Sequence, residues 1–558
     1  MSLEVAAVAA TDQRSSLRPL AVGALLLMAT ALCFDMHLWL TFAAKAIRFP
    51  FELDYGEGIV LQQMLHMLDG QSYGPIDRFP AIVFHYPPLY HLASAAVTTL
   101  WGIDPLAAGR LVSVSATLLV GLLAGLIVFH AVRDDTPRPA AAICAIAGGL
   151  VTLSFWPIVA WSPLMRVDMV AQAFALAGVW LGLLALKRPR LIHLAALCFV
   201  AAVYSKQTAI VAPAATLLTL FAVKPRAAWT LLASCLALGL GALGALEWLS
   251  GGGFLRHVLL YNINRFEASR LLWIASALGA HALYFGLILI SLRYRLKERL
   301  PAYRGVGLSE LRERLLKSQS DASLLLLLVY FGLATLMLVT VAKSGSNLNY
   351  FIDWMCVAGI LVGIACRTAA VTAVAPAAAP KGSLLLAVAV PAAIGIQAIM
   401  LEPPPDYRAQ LDPKRQQEMH ELVSIVRDAD RPVISDDMVL LLRAGQPVMW
   451  EPAIFAELAS KGIWDERPFT TRIRCGDFAF FATAGERGET LFDSRYNPAV
   501  SDAIDAAYPT KTVLAGLTLH LPRGAPTRAP GCPPVAPKPK LGPVSPAFSA
   551  PAAAAAVH

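Results

Sequence analysis

Apolar residues in this chain are gathered into long, nearly uninterrupted runs. Most are about 18 to 25 residues long, the length at which a helix crosses a hydrocarbon core of about 30 Å. Bounded by charges, Pro or Gly, about eleven such runs emerge, at roughly 19–43, 108–131, 140–160, 166–186, 190–204, 207–223, 227–248, 271–292, 322–342, 350–366 and 382–401. Of the 558 residues, 57% are apolar and only 15% charged, where a soluble domain carries about 25% charged residues. Soluble multidomain enzymes, disorder over most of the chain and disulfide-rich secreted scaffolds are excluded. The expected fold class is mainly α, a polytopic membrane protein of about eleven transmembrane helices.

The first run follows Arg14 and Arg18 and precedes Ala44-Lys45-Ala46. It is too long for the apolar core of a signal peptide and reads as a retained anchor. The apolar piece from Pro88 to Trp101 is short and broken by His91, so it is expected to lie along the interface or to re-enter.

Basic residues in short loops stay in the cytoplasm. With the N-terminus inside, the inner loops hold Arg133 and Arg138, then Lys187, Arg188 and Arg190, then Lys224 and Arg226. The largest inner loop adds Arg293, Arg295, Lys297, Arg299, Arg304, Arg312, Arg314 and Lys317. Most of the net charge of +8 is therefore a topology signal, and nucleic acid is not an expected partner. The organisation expected is a cytoplasmic N-terminus (1–18), a membrane domain (19–401) with an outer loop at 45–107, an outer C-terminal domain (402–523), and a disordered Pro/Ala-rich tail (524–558).

The outer domain opens on Glu402-Pro403-Pro404-Pro405 and a helical stretch to about Asp430. Short apolar runs (Pro432–Ser435, Phe478–Phe481) then alternate with helical pieces around Pro452–Ser460 and Ala499–Ala507, and Thr510–Leu521 alternates as one half-buried strand would. A small α/β domain is expected. Of eight cysteines, Cys33, Cys144, Cys198, Cys235, Cys356 and Cys366 fall in or beside apolar runs. Cys475 and Cys532 form the one pair in the outer region and are expected to be a disulfide in an oxidising compartment. No spacing resembles a zinc site.

Under this topology the polar residues at membrane edges sort by side. Outside lie Asp54 and Glu57 in Glu52-Leu-Asp-Tyr-Gly-Glu-Gly58, His85-Tyr-Pro-Pro-Leu-Tyr90, Arg166-Val-Asp168, Ser205-Lys-Gln207, Tyr261-Asn-Ile-Asn-Arg265 and Lys343-Ser-Gly-Ser-Asn-Leu-Asn-Tyr350. Polar groups near a bilayer are costly and mark sites, and their convergence on one face points to outer-face chemistry.

Each residue also has a plain structural reading. After Asp54, Leu61, Met64, Leu65 and Leu68 fall at helical spacing with Gln62, Gln63, His66 and Asp69 opposite, an amphipathic helix on the membrane surface. Asp54 is either a general base towards a hydroxyl or a helix cap with Glu57 in the first turn. Arg166 binds a ligand or snorkels to headgroups, and Asp168 binds a ligand or complements a helix N-terminus. Lys206 breaks the inside-positive trend in a very short outer turn, where a lipid-linked phosphate would supply the countercharge. Arg265 and Lys343 are of the same kind. Asn347, Asn349 and Tyr350 either hydrogen-bond a polar ligand or form a turn, and His85 and His91 either pack or, for His85, contact an acceptor. The chain has no G-x-x-x-x-G-K-[ST], H-E-x-x-H or G-x-S-x-G motif, which removes support for ATP hydrolysis, zinc proteolysis and hydrolase-type acyl transfer.

The acidic motif after the first run, the amphipathic segment ending Gly70-Gln-Ser-Tyr73, and Tyr86-Pro-Pro-Leu-Tyr90 together resemble the polytopic GT-C glycosyltransferases. The bacterial protein O-mannosyltransferase and lipid A aminoarabinose transferase branch (glycosyltransferase family 39) is the nearest in pattern. Ile434-Ser-Asp-Asp437, Ala444-Gly445 and Trp450-Glu-Pro452 extend the likeness into the outer domain. The resemblance implies a multi-pass protein of the bacterial inner membrane with a periplasmic C-terminal domain. It implies an inverting transfer of a sugar from a polyprenyl-phosphate donor to a hydroxyl on a lipid, glycan or protein. In that scheme Asp54 is the base and Glu57 supports it, although the two-residue separation of the acids leaves open which of them is the base. Arg166, Lys206, Arg265 and Lys343 would hold the donor phosphate, and His85, Tyr86, Asp168, Gln207, Asn347, Asn349 and Tyr350 would contact substrate. No cofactor is required, though Asp54, Glu57 and Asp168 offer a possible shared divalent cation. A lipid or polysaccharide transporter is the rival reading, disfavoured by the absence of an internal repeat and by the one-sided polar groups. An enzyme joining whole glycans differs in acceptor only.

Overall fold

The computed structural model describes residues 2–262, 264–378, 384–400, 411–524 and 532. Its membrane region is built from α1 (Ser2–Arg48), α2 (Tyr55–Leu68), α3 (Leu89–Trp101), α4 (Pro105–Val132), α5 (Arg138–Ser154), a short α6 (Trp156–Trp161), α7 (Asp168–Ala185), α8 (Leu191–Ser205) and α9 (Val211–Val223). There follow α10 (Pro225–Leu249), α11 (Leu272–Ala280), α12 (Ala282–Arg299), α13 (Leu308–Lys317), α14 (Gln319–Met337), α15 (Ile352–Ala365), α16 (Arg367–Val374) and α17 (Leu384–Met400).

Every apolar run read from the sequence falls on an apolar helix, and the chain is a multi-pass membrane protein. The helices are not eleven equal spans, however. Among the described residues, six helical segments have the length and apolarity to cross: Arg18–Arg48, Pro105–Val132, Asp168–Ala185, Pro225–Leu249, Gln319–Ala342 and Leu348–Val374. Ala268–Ala280 and Ala282–Tyr303 make a seventh only as a pair bent by 75°. The bend sits at His281, whose ring nitrogens bond the Ala277 carbonyl at 2.9 Å and the Trp156 amide at 3.2 Å. Arg138–Ser154, Leu191–Ser205, Val211–Val223 and Leu385–Met400 are shorter than the about 20 residues a straight crossing needs.

Helix α15 lies at the centre, with 83% of its apolar window buried, and α10 at the periphery, with 6%. The centre is close-packed through glycine. A Cβ on Gly363 of α15 would stand 2.5 Å from the Gly148 Cα of α5, and one on Gly149 would stand 2.7 Å from the Gly121 carbonyl oxygen of α4. Backbones approach this closely in a membrane where small residues line the contact, because packing rather than hydrophobic burial holds helices together in lipid.

The segment Pro88–Trp101 becomes α3, with Leu92, Leu100 and Trp101 exposed on one side, as an interfacial helix requires. The amphipathic α2 differs from expectation. Gln62 and Gln63 are buried: Gln63 is taken up by Val83 and His85 of the following loop and by His91 of α3, and the C-terminal domain packs against α2 at Gly58, where a Cβ would meet Met438 Cβ at 2.8 Å. Arg443 completes the junction, donating to the Pro50 carbonyl and pairing with Asp104.

That domain contains α18 (Pro413–Asp428), β1 (Ile434–Ser435), α19 (Met438–Arg443), α20 (Pro452–Ser460), α21 (Arg467–Arg474), β2 (Phe481–Thr483), α22 (Pro498–Ala507), β3 (Thr510–Leu514) and β4 (Leu517–Leu521). The sheet order is β1-β2-β4-β3, with β1 and β2 parallel and the other pairs antiparallel. The stretch read as one strand is a hairpin: Ala515 and Gly516 both take positive φ, 55° and 75°, the conformation that turns a strand in two residues. An aromatic core of Trp450, Phe469, Phe481, Tyr496 and Tyr508 also takes in Ile76, Ala81 and Val83 from the outer loop. Cys475 is bonded to Cys532, and the other six cysteines are free. The remainder of the expected tail lies outside the described residues, as do 401–410.

Gly363→Ala is expected to lower the unfolding temperature of the purified protein, at a cost of about 1–3 kcal/mol for forcing a methyl into packed backbone. Gly279→Ala, at a site with nothing within 4 Å, is the control that should change little. The Cys475–Cys532 bond predicts faster migration of the full chain on a non-reducing gel than on a reducing one, a difference that Cys475→Ser should abolish.

Candidate active site

The end of the bundle that carries Asp54 is organised around a buried arginine that the sequence motifs do not mark. Arg110 is in the second turn of α4 and fully buried, as is Glu57. Its Nε and Nη2 donate to the two oxygens of Glu57 at 2.8 and 2.7 Å. The remaining donors reach the carbonyls of Ala46, Phe49 and Phe51 at 2.5, 2.6 and 2.7 Å. Glu57 also accepts from the amides of Leu53 and Met165, each at 2.7 Å. With both oxygens taken by four donors and no exposure, Glu57 has no lone pair to offer a substrate. Its geometry is that of an anchor, which corrects the expectation that it shares the chemistry. The signal that could have found Arg110 was in view, since a cation inside an apolar helix is costly unless paired.

Asp54 stands differently. It is the N-cap of α2, and its Oδ1 accepts from the Gly56 amide and from Nη1 of Arg166, both at 3.1 Å. Among the described residues no hydrogen bond reaches Oδ2, and the side chain is 20% exposed. The capping reading is met by Oδ1, which leaves Oδ2 without a hydrogen-bond partner among the described residues. Burial raises the Asp54 carboxyl above its ordinary range, with Arg166 pulling it back. Arg166 stacks over the Trp161 ring at 4.8 Å and extends its Nη2 to the Tyr86 hydroxyl at 3.5 Å.

Next to this lies a second charged pair. Lys206 donates to Asp168 Oδ1 at 2.5 Å and sits 5.1 Å from the Tyr350 ring centroid. Asn349 donates to the same oxygen at 3.0 Å, and Trp161 to Oδ2 at 2.8 Å. The countercharge of Lys206 is thus supplied within the chain by Asp168, where the sequence reading expected a ligand phosphate. A cavity of about 50 Å³ opens beside the pair, lined by Gln172, Asn349 and Asp353 among others.

His85 lies at the join. Its carbonyl accepts from the side-chain amides of Gln207 at 2.9 Å and Asn262 at 3.2 Å, and Asn262 in turn accepts from Lys343 at 3.1 Å. Burial pushes the His85 imidazole down to about 3 and the Glu451 carboxyl up to about 8. At neutral pH both are uncharged, so their 3.7 Å approach is no ion pair. Gln63 and His257 hold the strand from below: Gln63 donates to the Val83 carbonyl and contacts His85 and His91, and His257 accepts from the Phe84 amide. Lys343 is pushed down to about 8, by burial first and then by the neighbouring Lys206.

Two expected site residues stand apart. Arg265 is 60% exposed and faces Glu457 at 3.8 Å, and Asn347 caps its own turn by accepting from the Leu348 amide. The shared divalent cation is also not formed by these residues: Glu57 is tied to Arg110, Asp54 to Arg166 and Asp168 to Lys206. Among the described residues no group of three His, Cys, Asp or Glu side chains could hold a metal ion.

No family model matches the chain, and no curated protein matches its sequence. Solved structures do. ArnT from Cupriavidus metallidurans superposes in its apo state with a TM-score of 0.54 at 14% identity, covering 87% of this chain and 97% of that one. The same protein bound to undecaprenyl phosphate gives 0.53 at 14% identity, covering 81% and 92%. Both matches cover most of either chain, and this chain has the GT-C fold of those structures.

Proposed function

We propose that this protein is an inverting glycosyltransferase that moves a sugar from a polyprenyl-phosphate donor to a hydroxyl acceptor at the outer face of the bacterial inner membrane. The observation that carries the reading is the open Oδ2 of Asp54 beside a one-sided set of cations, Arg166, Lys206 and Lys343. An acceptor hydroxyl that donates to Oδ2 is activated as it attacks the anomeric carbon. The cations stabilise the charge that develops on the departing phosphate, Lys206 exchanging part of its bond to Asp168 for one to phosphate. Tyr86 beside Arg166, Asn349 and Tyr350 beside Lys206, and Gln207 next to Lys206 in the chain are the substrate contacts of this reading. The solved structure of ArnT with undecaprenyl phosphate supports the donor class.

The orientation that goes with this reading has the N-terminus in the cytoplasm and the C-terminal domain in the periplasm, since nucleotide-activated sugars are confined to the cytoplasm and an outer site needs a sugar carried across on lipid. The acceptor is a membrane lipid, a glycan or a protein.

With the protein reconstituted in lipid and offered polyprenyl-phosphate sugars, Asp54→Asn should lower kcat by about 10² to 10⁴-fold, the usual worth of a general base, without loss of folded protein. Glu57→Gln should act on stability instead, since it strands the buried Arg110 charge at a cost of about 3–5 kcal/mol. Movement of lipid across the bilayer by all variants with no transfer by any would overturn the reading. The pH profile gives a separate check. Asp54 works ionised, so its raised pKa sets the acid limb, and Arg166→Met, which removes the cation that favours the ionised form, should move that limb to higher pH. Lys343 works protonated, so activity should fall as pH rises through about 8.

A further inference from the structure

The opposite end of the helical bundle carries charged residues that sugar transfer does not use. Here the ends of α4, α12 and α15 meet the starts of α5, α14 and α16. Arg299 pairs with both Asp135 and Asp321, and Arg367 with Asp135 and the Thr136 hydroxyl. Arg133 donates to Gln319. The carboxylates of this cluster are thus shared out among its other arginines.

Arg295 is left over. It lies one turn before Arg299 on α12 and is only 8% exposed, and its Nη2 is buried with no hydrogen-bond partner among the described residues. The nearby Asp135 carboxylate acts on Arg295 but is already shared with Arg299 and Arg367, so this buried guanidinium has no anion of its own, which is costly, and it lines a cleft between α12, α15, α16 and α17. The cleft is amphipathic. Its polar part includes Ser291, Arg295, Thr368 and Arg367, the last already paired with Asp135, with Glu298 exposed, and Leu287, Ile290 and Val390 are among the apolar walls. Beside it Leu289 and Leu385 are 70% and 86% exposed, the mark of a surface turned towards acyl chains.

We propose that this cleft binds the phosphate of an anionic phospholipid, with Arg295 as its charge partner and the α12 and α17 side chains against its acyl chains. Basic pockets between helices at the cytoplasmic side of a bilayer are suited to such headgroups. The apolar walls favour a lipid over a free anion, which would gain nothing from them. The leaflet follows from the orientation proposed above; the binding does not depend on it or on the sugar-transfer reading.

The test uses the purified full chain in neutral detergent, titrated with dioleoylphosphatidylglycerol, dioleoylphosphatidylcholine or inorganic phosphate, with thermal unfolding and native mass spectrometry as readouts. Phosphatidylglycerol should raise the unfolding temperature and be retained on the wild-type protein, while phosphatidylcholine and phosphate do neither. Arg295→Gln should weaken that response by about tenfold in apparent affinity, as loss of one charge-assisted contact implies, and Arg293→Gln, at an exposed position on the same helix, should not. Should Arg295→Gln fail to fold, Ser291→Trp, which fills the cleft and keeps the arginine, must show the same loss. An unchanged titration in these variants, or an equal response to inorganic phosphate or to phosphatidylcholine, would overturn the proposal.

Discussion

A fully buried ion pair, Arg110 with Glu57, holds together the part of this protein that matters most. The link from α1 to α2 must turn at the membrane edge without helical hydrogen bonds, and backbone groups left unsatisfied at such a depth are costly. One guanidinium collects three carbonyls of that link, from Ala46, Phe49 and Phe51, and one carboxylate collects the amides of Leu53 and Met165. The pair closes on itself through two further bonds. Breaking up a pair of this kind costs more than forming it gains, so its effect is to make one path of the chain far better than any other. Asp54 stands on that path, three residues before the glutamate.

Around this anchor the polar side chains form successive contacts rather than one cluster. Asp54 leans on Arg166, Arg166 on Trp161, and Trp161 donates to Asp168, which holds Lys206 and Asn349. Each charge has a partner, yet two of them keep a free side: the second oxygen of Asp54 and the face of Lys206 away from Asp168. The C-terminal domain belongs to the same construction. It packs on α2 through Met438 and ties the link before α2 to the start of α4 through Arg443, and its Glu451 accepts from the Tyr55 hydroxyl at 3.4 Å.

Much of this was legible in the residues because hydrophobic length and one-sided polarity are local signals. The apolar runs landed on helices, and Asp54, Arg166, Asp168, Lys206, Asn349 and Tyr350 were assigned to one face and do meet there. What was not legible depends on partners distant in sequence. Glu57 is a candidate acid until Arg110, in another helix, is seen to occupy it. Lys206 lacks a countercharge only until α7 brings Asp168 alongside. Gln62 and Gln63 read as a water-facing stripe because nothing in α2 announces that the loop and helix after it will fold back to take up Gln63 through Val83, His85 and His91. The hairpin at Ala515-Gly516 was missed because alternation continues across a two-residue turn. Helices α5 and α9 read as longer spans because run length overstates helix length wherever a turn is itself apolar.

The glycine contacts at the centre of the bundle have a mechanical meaning as well. Helices α4, α5 and α15 touch backbone to backbone at Gly121, Gly148, Gly149 and Gly363, so none can slide or roll without first separating. Arg110 is rooted in α4, and Asp54 hangs from Arg110 through Glu57. The cations, by contrast, are mounted on connecting turns, Lys206 between α8 and α9 and Lys343 after α14. The molecule therefore has a stator and a compliant side. The acid keeps a fixed aim while the turns that face it take up the changes in shape, and how well that aim is kept is a question of stiffness set deep in the bundle, far from the charges themselves.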